Sequence, residues 1–209
     1  MTVPRTGGVV LCGGRSSRMG RPKAWLPVGG EVMLQRVARL VSQAVTPVVV
    51  VAAPDQAVPQ LPGAIDLVRD AAEGNGPLQG LAAGLAALAG RADAAFITGC
   101  DAPLLRPEFV ERLADLRGEA DACVPVVGGF PHPLPGVYAV GILPIVHEFL
   151  GAGRYRLGAI LDRVRSRLVT VDELAGADPN LDSLRNVNTP DGYVRALAQL
   201  SLPTNPEPG

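Results

Sequence analysis

A short apolar run, Gly8-Val9-Val10-Leu11-Cys12, breaks at once into Gly13-Gly14, then Ser16-Ser17, with Arg15, Arg18, Arg21 and Lys23 supplying four cations within nine residues. A β-type run that ends this way is built to hold phosphate. Glycine lets backbone approach an anion without a Cβ in the way, and successive free amides form an anion-binding concavity. The loop is not a Walker-type P-loop, because Arg21-Pro22 separates Gly20 from Lys23 and Ala24 follows the lysine. Nor does Gly13-Gly14-Arg15-Ser16-Ser17 supply the spacing of a dinucleotide fingerprint.

Lys23 is the only lysine among nineteen basic residues. Lysine is a compact point charge on a flexible stem and arginine a rigid planar fork, so a site that needs the first does not readily take the second. That the sole lysine falls in the phosphate-type loop favours a function for it over an accident of a basic surface loop.

Downstream, Met33, Leu34, Val37, Leu40, Val41 and Ala44 recur at helical spacing. Val48 to Ala53 then reads as a strand buried on both faces. Ile65 to Val68 predicts a short strand ending at Arg69-Asp70, and a helix rich in Gly and Ala follows from Leu78 to Leu88. Small residues at Gly80, Ala83, Gly84 and Ala87 would let that helix lie close to the sheet or to a ligand. Ala94 to Thr98 is a buried-type strand, and open α/β sheets bind ligands beyond the carboxyl ends of their strands. Asp101 stands at such an end. Alone it reads equally well as a turn aspartate before a helix over Pro107 to Leu116. Beside a phosphate loop, a carboxylate able to hold Mg²⁺ against phosphate oxygens is the better reading.

The second half predicts strands over Ala122 to Val127, Val137 to Val140 and Leu168 to Val171, and helices over Leu143 to Leu150, Leu157 to Val164 and Asp191 to Leu200. The loop Gly128 to Gly136, containing His132, reads either as a cover for a second substrate or as a stiff hairpin connection. Arg154 and Arg156 flank Tyr155 and either grip an anion or lie in a solvated loop. In Asn186-Val187-Asn188-Thr189-Pro190 the asparagines suit a fixed loop, and Thr189-Pro190 suits entry to a helix. Alternating strands and helices predict one doubly wound α/β domain over residues 1–201 with a mostly parallel sheet and helices on both faces. Its nucleotide-binding half would span about 7–105 and its acceptor half about 106–201, with a disordered tail over 202–209.

The bulk properties bound the partners. A net charge of −1 gives no reason to expect nucleic acid or an anionic membrane. Cys12, Cys100 and Cys123 show no CxxC spacing and read as small buried residues of a reducing compartment. No signal-type or membrane-spanning apolar run is present, which together predicts a cytoplasmic protein.

The stretch LCGGRSSRMGRPK resembles the signature of nucleotidyltransferases that join a nucleoside triphosphate to a phosphorylated small molecule, and within them the molybdenum cofactor guanylyltransferases. GPLQGLAAGL, CDAPLL and the N-x-N-T-P stretch at Asn186 to Pro190 resemble three further motifs of that family, so the likeness runs from about Gly8 to Asp191. The resemblance implies that Leu11, Cys12, Gly13, Gly14, Ser16, Lys23, Asp70 and Asp101 bind nucleotide, Asp70 reading base or ribose. Arg18, Lys23 and Asp101 would be the catalytic residues, with Asp101 the Mg²⁺ ligand. Arg18 and Lys23 would neutralise the triphosphate as pyrophosphate leaves. His132, Arg154, Arg156, Asn186 and Asn188 are the candidate acceptor-binding residues. The implied substrates are GTP and the terminal phosphate of molybdopterin, with other proteins of molybdenum cofactor biosynthesis or delivery as further partners. Aligned by strand and helix, Val51 falls where the family often carries a nucleotide-contacting asparagine, and valine offers no side-chain hydrogen bond. That leaves open a cytidylyltransferase, a sugar- or polyol-phosphate nucleotidyltransferase of the same fold, or a non-catalytic nucleotide-binding partner.

Overall fold

A computed structural model describes residues 5–13, 22–70 and 76–201. Gly14, Ser16 and Arg18, residues 71–75 and the expected tail at 202–209 lie outside the described residues.

The elements follow in chain order. Strand β1 (Thr6–Leu11) precedes a hairpin of β2 (Pro27–Val28) and β3 (Glu31–Val32), helix α1 (Met33–Ala44) and strands β4 (Val48–Ala52) and β5 (Ile65–Arg69). Helix α2 (Gly76–Leu88) leads to β6 (Ala94–Gly99), α3 (Pro107–Arg117), β7 (Ala122–Val127), β8 (Phe130–Pro131) and β9 (Gly136–Ala139). The chain closes with α4 (Leu143–Gly151), β10 (Ser166–Val169), α5 (Val171–Leu174) and α6 (Pro190–Ser201).

Among the described residues one sheet runs β10-β7-β9-β6-β1-β4-β5, with β8 paired to β7 at its side. The pairs β1–β4, β1–β6, β4–β5 and β7–β10 are parallel; β9 runs antiparallel between β6 and β7, and β8 pairs antiparallel with β7. The mostly parallel sheet expected from the sequence is therefore present. From β1 the chain moves outward to β4 and β5, then returns to β6 on the other side of β1. That reversal opens a crevice at the carboxyl ends of β1 and β6, where such sheets bind ligands.

Side chains alternate across the sheet as the pleat requires. Val10, Cys12, Val48, Val50, Ala52, Phe96 and Cys100 face α1 and α3, while Val9, Val49, Val51, Ala95 and Ile97 face α2 and α4. Both faces are buried, which is why β4 reads as an unbroken valine run. In α2 the glycines weaken the helix by about 1 kcal/mol each relative to alanine. Leu78, Leu81, Leu85 and Leu88 are fully buried and contribute about 1.5–3 kcal/mol each, so packing decides. The glycines are there for approach. A Cβ at Gly84 would fall 2.6 Å from Val9 Cγ1, and one at Gly80 would fall 2.9 Å from Leu11.

Three expectations change. Residues from Leu157 form a 3-10 turn, Leu157–Asp162, and not an α-helix to Val164; its Gly158 lies where a Cβ would meet Pro133 at 3.4 Å. The last strand is Ser166–Val169, because the Glu173 carboxylate accepts the Thr170 amide at 3.0 Å and starts α5 there. The third is the strand expected over Val137 to Val140, which runs Gly136–Ala139 and gives way to a 3-10 turn, Val140–Ile142. Val51, on β4, has its side chain 2% exposed in the core against α2.

Candidate active site

Lys23 owes its position to the proline before it. Pro22 has φ −60° and its carbonyl accepts the Trp25 amide at 3.1 Å, so the chain turns into a single 3-10 turn, Lys23–Trp25. Ala24 of that turn is buried, and the Trp25 indole donates to the Ala57 carbonyl at 3.2 Å. The Lys23 ammonium is thereby presented to the crevice. It donates to Asp101 Oδ2 at 2.8 Å and to Asn188 Oδ1 at 2.6 Å. Lys23 and Asp101 side chains are each 18% exposed, so the pair sits at the crevice wall and not in the core.

Asp101 is fixed from several directions. Its carbonyl accepts the Val187 amide at 2.7 Å. Val187 is buried with Leu26, Val28, Met33, Leu104 and Ala196, which anchors the N-x-N-T-P segment and leaves Asn186 and Asn188 exposed on either side. Arg36 of α1 donates through Nε to the Pro103 carbonyl at 2.7 Å and through Nη1 to Glu31 at 3.3 Å. The buried Ser183 hydroxyl accepts the Arg106 amide at 3.1 Å. Gly99 completes the mounting, because a Cβ there would stand 2.6 Å from Asp101 Oδ1.

The far wall is the end of β1. The Cys12 amide donates to the Val51 carbonyl at 2.7 Å, and Gln56 Nε2 donates to the Cys12 carbonyl at 2.9 Å and to its sulfur at 3.3 Å. Gln56 Oε1 accepts the Ala53 amide at 3.2 Å, and Arg69 grips the Ala53 and Gln56 carbonyls at 3.0 and 2.6 Å. The loop after β4 is thus tied to the end of β1 through the Gln56 side chain. The neighbouring Cys100 thiol holds the Cys12 pKa below its ordinary value against the opposing effect of burial; the Gln56 contact lowers it too. The Cys12 thiol, then burial, pushes the Cys100 thiol well up.

The remaining sequence candidates lie along the same edge. The Asp70 amide donates to the Ala52 carbonyl at 2.8 Å at the end of β5, placing this residue across Leu11, Cys12 and Gly13 from Asp101. His132 follows β8, its amide on the Pro125 carbonyl at 2.8 Å, and Tyr138 holds the next residue by donating to the Pro133 carbonyl at 2.7 Å. Burial raises the Tyr138 pKa. The Arg154 guanidinium stacks on the Phe149 ring at 4.0 Å, and the Tyr155 carbonyl lies 3.6 Å from a Cβ position at Gly76. The Arg154 to Arg156 turn is therefore beside the start of α2 and adjoins the His132-Pro133 loop through Gly158. Asn188, in contrast, belongs with Lys23 and Asp101.

Arg36, Gln56 and Ser183 are contributors that sequence reasoning passed over. Arg36 reads as part of a solvated helix face, and Gln56 as one polar residue in a Pro-rich connection. Only their partners in space reveal them.

Among the described residues no three His, Cys, Asp or Glu side chains cluster to form a metal site of their own. A single carboxylate beside a phosphate-type loop fits Mg²⁺, which typically takes one or two carboxylates plus phosphate oxygens and water. No helix among the described residues is long and apolar enough to cross a membrane.

Comparison with known proteins agrees with this geometry. Residues 8–168 match the family described as the MobA-like NTP transferase domain. A probable molybdenum cofactor guanylyltransferase of Mycobacterium avium is 35% identical over 196 residues, covering 92% of this chain and 94% of the relative. The crystal structure of molybdopterin-guanine dinucleotide biosynthesis protein A from Archaeoglobus fulgidus superposes with a TM-score of 0.77 at 24% identity, covering 93% of this chain and 98% of that one. A Mycobacterium tuberculosis protein solved in complex with manganese superposes at 0.64 and 20% identity, with 93% and 98% covered. A doubly wound sheet with a phosphate-type loop and an acidic strand end at its switch point, matched over most of its length, places this chain in the MobA-like NTP transferase family: it is a nucleotidyltransferase.

Proposed function

We propose that the chain transfers GMP from GTP to the terminal phosphate of molybdenum-bound molybdopterin and releases pyrophosphate. The observation that carries this reading is the 2.8 Å pairing of the only lysine with the aspartate at the end of β6. The name of the 35%-identical relative supplies the guanine and molybdenum assignments.

The acceptor oxygen attacks the α-phosphorus and the bond to the β-phosphate oxygen breaks. A phosphate monoester has a second pKa of about 6 and is mostly ionised at neutral pH, so no general base is required. The demands on the protein are alignment and charge neutralisation. Backbone from Cys12 onward receives the triphosphate, with Gly14, Ser16 and Arg18 in the same loop. Lys23 exchanges its contact with Asp101 for the departing phosphates. Asp101 is the residue that would hold Mg²⁺. When bound, that ion neutralises phosphate charge and aligns the reacting oxygens; the manganese complex of the structural relative is consistent with a divalent ion. Asp70 lies three strands from β6, roughly 14 Å at about 4.8 Å per strand, on the side suited to base or ribose. Asn186, His132, Arg154 and Arg156 would take the acceptor side, with Asn188 at the Lys23–Asp101 pair between the two substrates.

The test is equilibrium titration with GTP, CTP, ATP and UTP at fixed Mg²⁺. GTP should bind at least tenfold more tightly than the others. Equal or tighter binding of CTP would make the protein a cytidylyltransferase.

A further inference from the structure

Cys12 follows β1 and Cys100 follows β6, and the two strands are paired in parallel with Leu11 opposite Gly99. The ladder continues one step, since the Cys100 amide donates to the Leu11 carbonyl at 2.9 Å. Cys12 and Cys100 are thus the next lateral pair, on the same face and within one buried cluster. Neighbouring strands lie about 4.8 Å apart, inside the Cα range of about 4.4–6.8 Å that disulfides occupy. Gln56 Nε2 orients the Cys12 sulfur from 3.3 Å. Cys123 is different. It lies on β7, with β9 between it and β6, and is level through Val137 with Phe96, four residues before Cys100; the two strand spacings alone are roughly 10 Å, beyond the reach of a bridge.

We propose that Cys12 and Cys100 form an oxidisable dithiol that a peroxide closes into a disulfide across the carboxyl ends of β1 and β6, and that the closed form binds nucleotide poorly. The Cys12 sulfur attacks one peroxide oxygen, the O–O bond breaks, and the products are a Cys12 sulfenic acid and one water. The Cys100 sulfur then attacks the sulfenic sulfur, and its proton leaves with the hydroxyl as a second water. Two thiols are oxidised and one peroxide is reduced. Exposed Gly13 adjoins Cys12 and gives a small peroxide its approach. The consequence for nucleotide rests on the function proposed above: Gly13 and Asp101, the neighbours of the bridged residues, flank the crevice, and turning the Cys12 sulfur into a bridge takes it from Gln56, which also holds the Cys12 carbonyl there.

The test uses the full chain, reduced and then treated with hydrogen peroxide. Intact mass under non-reducing conditions should fall by two hydrogens, and peptide mapping should join Cys12 to Cys100 while Cys123 remains a thiol. Cys123→Ala should still bridge and Cys100→Ala should not. GTP affinity in Mg²⁺ should fall at least tenfold on oxidation and return with dithiothreitol, and saturating GTP with Mg²⁺ should slow bridging. Three persisting thiols, or a bridge through Cys123, would overturn the pairing. A formed Cys12–Cys100 bridge with unchanged GTP affinity would overturn the switch. Should the reduced protein bind no nucleoside triphosphate, the proposed function fails and the switch with it, while the mass still decides on the bridge.

Discussion

Lys23 and Asp101, 78 residues apart in sequence, stand 2.8 Å apart across the crevice, with Asn188 Oδ1 2.6 Å from the same ammonium. Three separate motifs therefore converge on one nitrogen. Asp101→Asn keeps the shape and removes the charge. Transfer should fall by at least about 100-fold, the scale of losing one preorganised electrostatic contact. The pair is part-exposed, so stability should change by about 1 kcal/mol or less. Rates and a thermal melt on the same preparation separate the two effects. Unimpaired Mg²⁺-dependent turnover would remove Asp101 from its role.

Gln56→Ala should weaken nucleotide binding more than it lowers the maximal rate. The lost amide leaves the Cys12 carbonyl and the Ala53 amide without their partner, loosening the loop that receives the triphosphate while leaving Lys23 and Asp101 in place. An increase in KM of about tenfold, roughly 1.4 kcal/mol, with kcat within about threefold is the expected split. A fall in kcat with unchanged KM would show that Gln56 acts elsewhere.

Much of this was legible in the sequence, for physical reasons that differ by residue. The valine run of β4 and the apolar stripe of α1 announce themselves because burial on both faces of a sheet, or on one face of a helix, dictates composition. Lys23 and Asp101 stood out because loop chemistry leaves few alternatives for glycines, a lone lysine and a strand-end carboxylate, but that the two side chains meet at 2.8 Å was not legible. Which of the alternating valines of β4 turns toward α2 was not legible, because that is set by pairing: Leu11 lies opposite Val51, and β4 continues to Ala52. Gln56 and Arg36 were illegible because they act on carbonyl oxygens 44 and 67 positions away, and no local pattern encodes such a partner.

Gly84→Ala tests the close approach of α2 to β1. Alanine gains about 1 kcal/mol of helix propensity. Its Cβ, however, would stand 2.6 Å from Cγ1 of fully buried Val9, and overpacking costs about 1–3 kcal/mol. A net loss of about 1 kcal/mol is expected in urea unfolding. A stabilised variant would mean that α2 stands further from the sheet.

The Arg39 hydrogen bond, supported by the charges of Arg39 and Arg36, holds Glu31 below its ordinary value of 4.5 despite partial burial. Its contribution is present above that ordinary value and is lost as pH falls through the lowered native value. Glu31→Gln should be less stable than the parent by about 1 kcal/mol at pH 7, the scale of a part-exposed ion pair. The gap should hold down to about pH 5 and close at lower pH. Melts of both proteins across that range check it; a gap that persisted at the lowest pH would mean that the carboxylate charge is not the source.

The most direct measurement is pyrophosphate release from GTP and Mg²⁺ with molybdenum-bound molybdopterin, comparing the parent with Lys23→Arg. Arginine keeps the charge, but its planar fork cannot replace a point charge that must leave Asp101 and follow phosphate. Release should require the acceptor, and should fall at least about 100-fold in Lys23→Arg while GTP affinity changes less than about tenfold. Near-parental turnover by Lys23→Arg, or no acceptor-dependent release by the parent, would contradict the assignment of this crevice to guanylyl transfer.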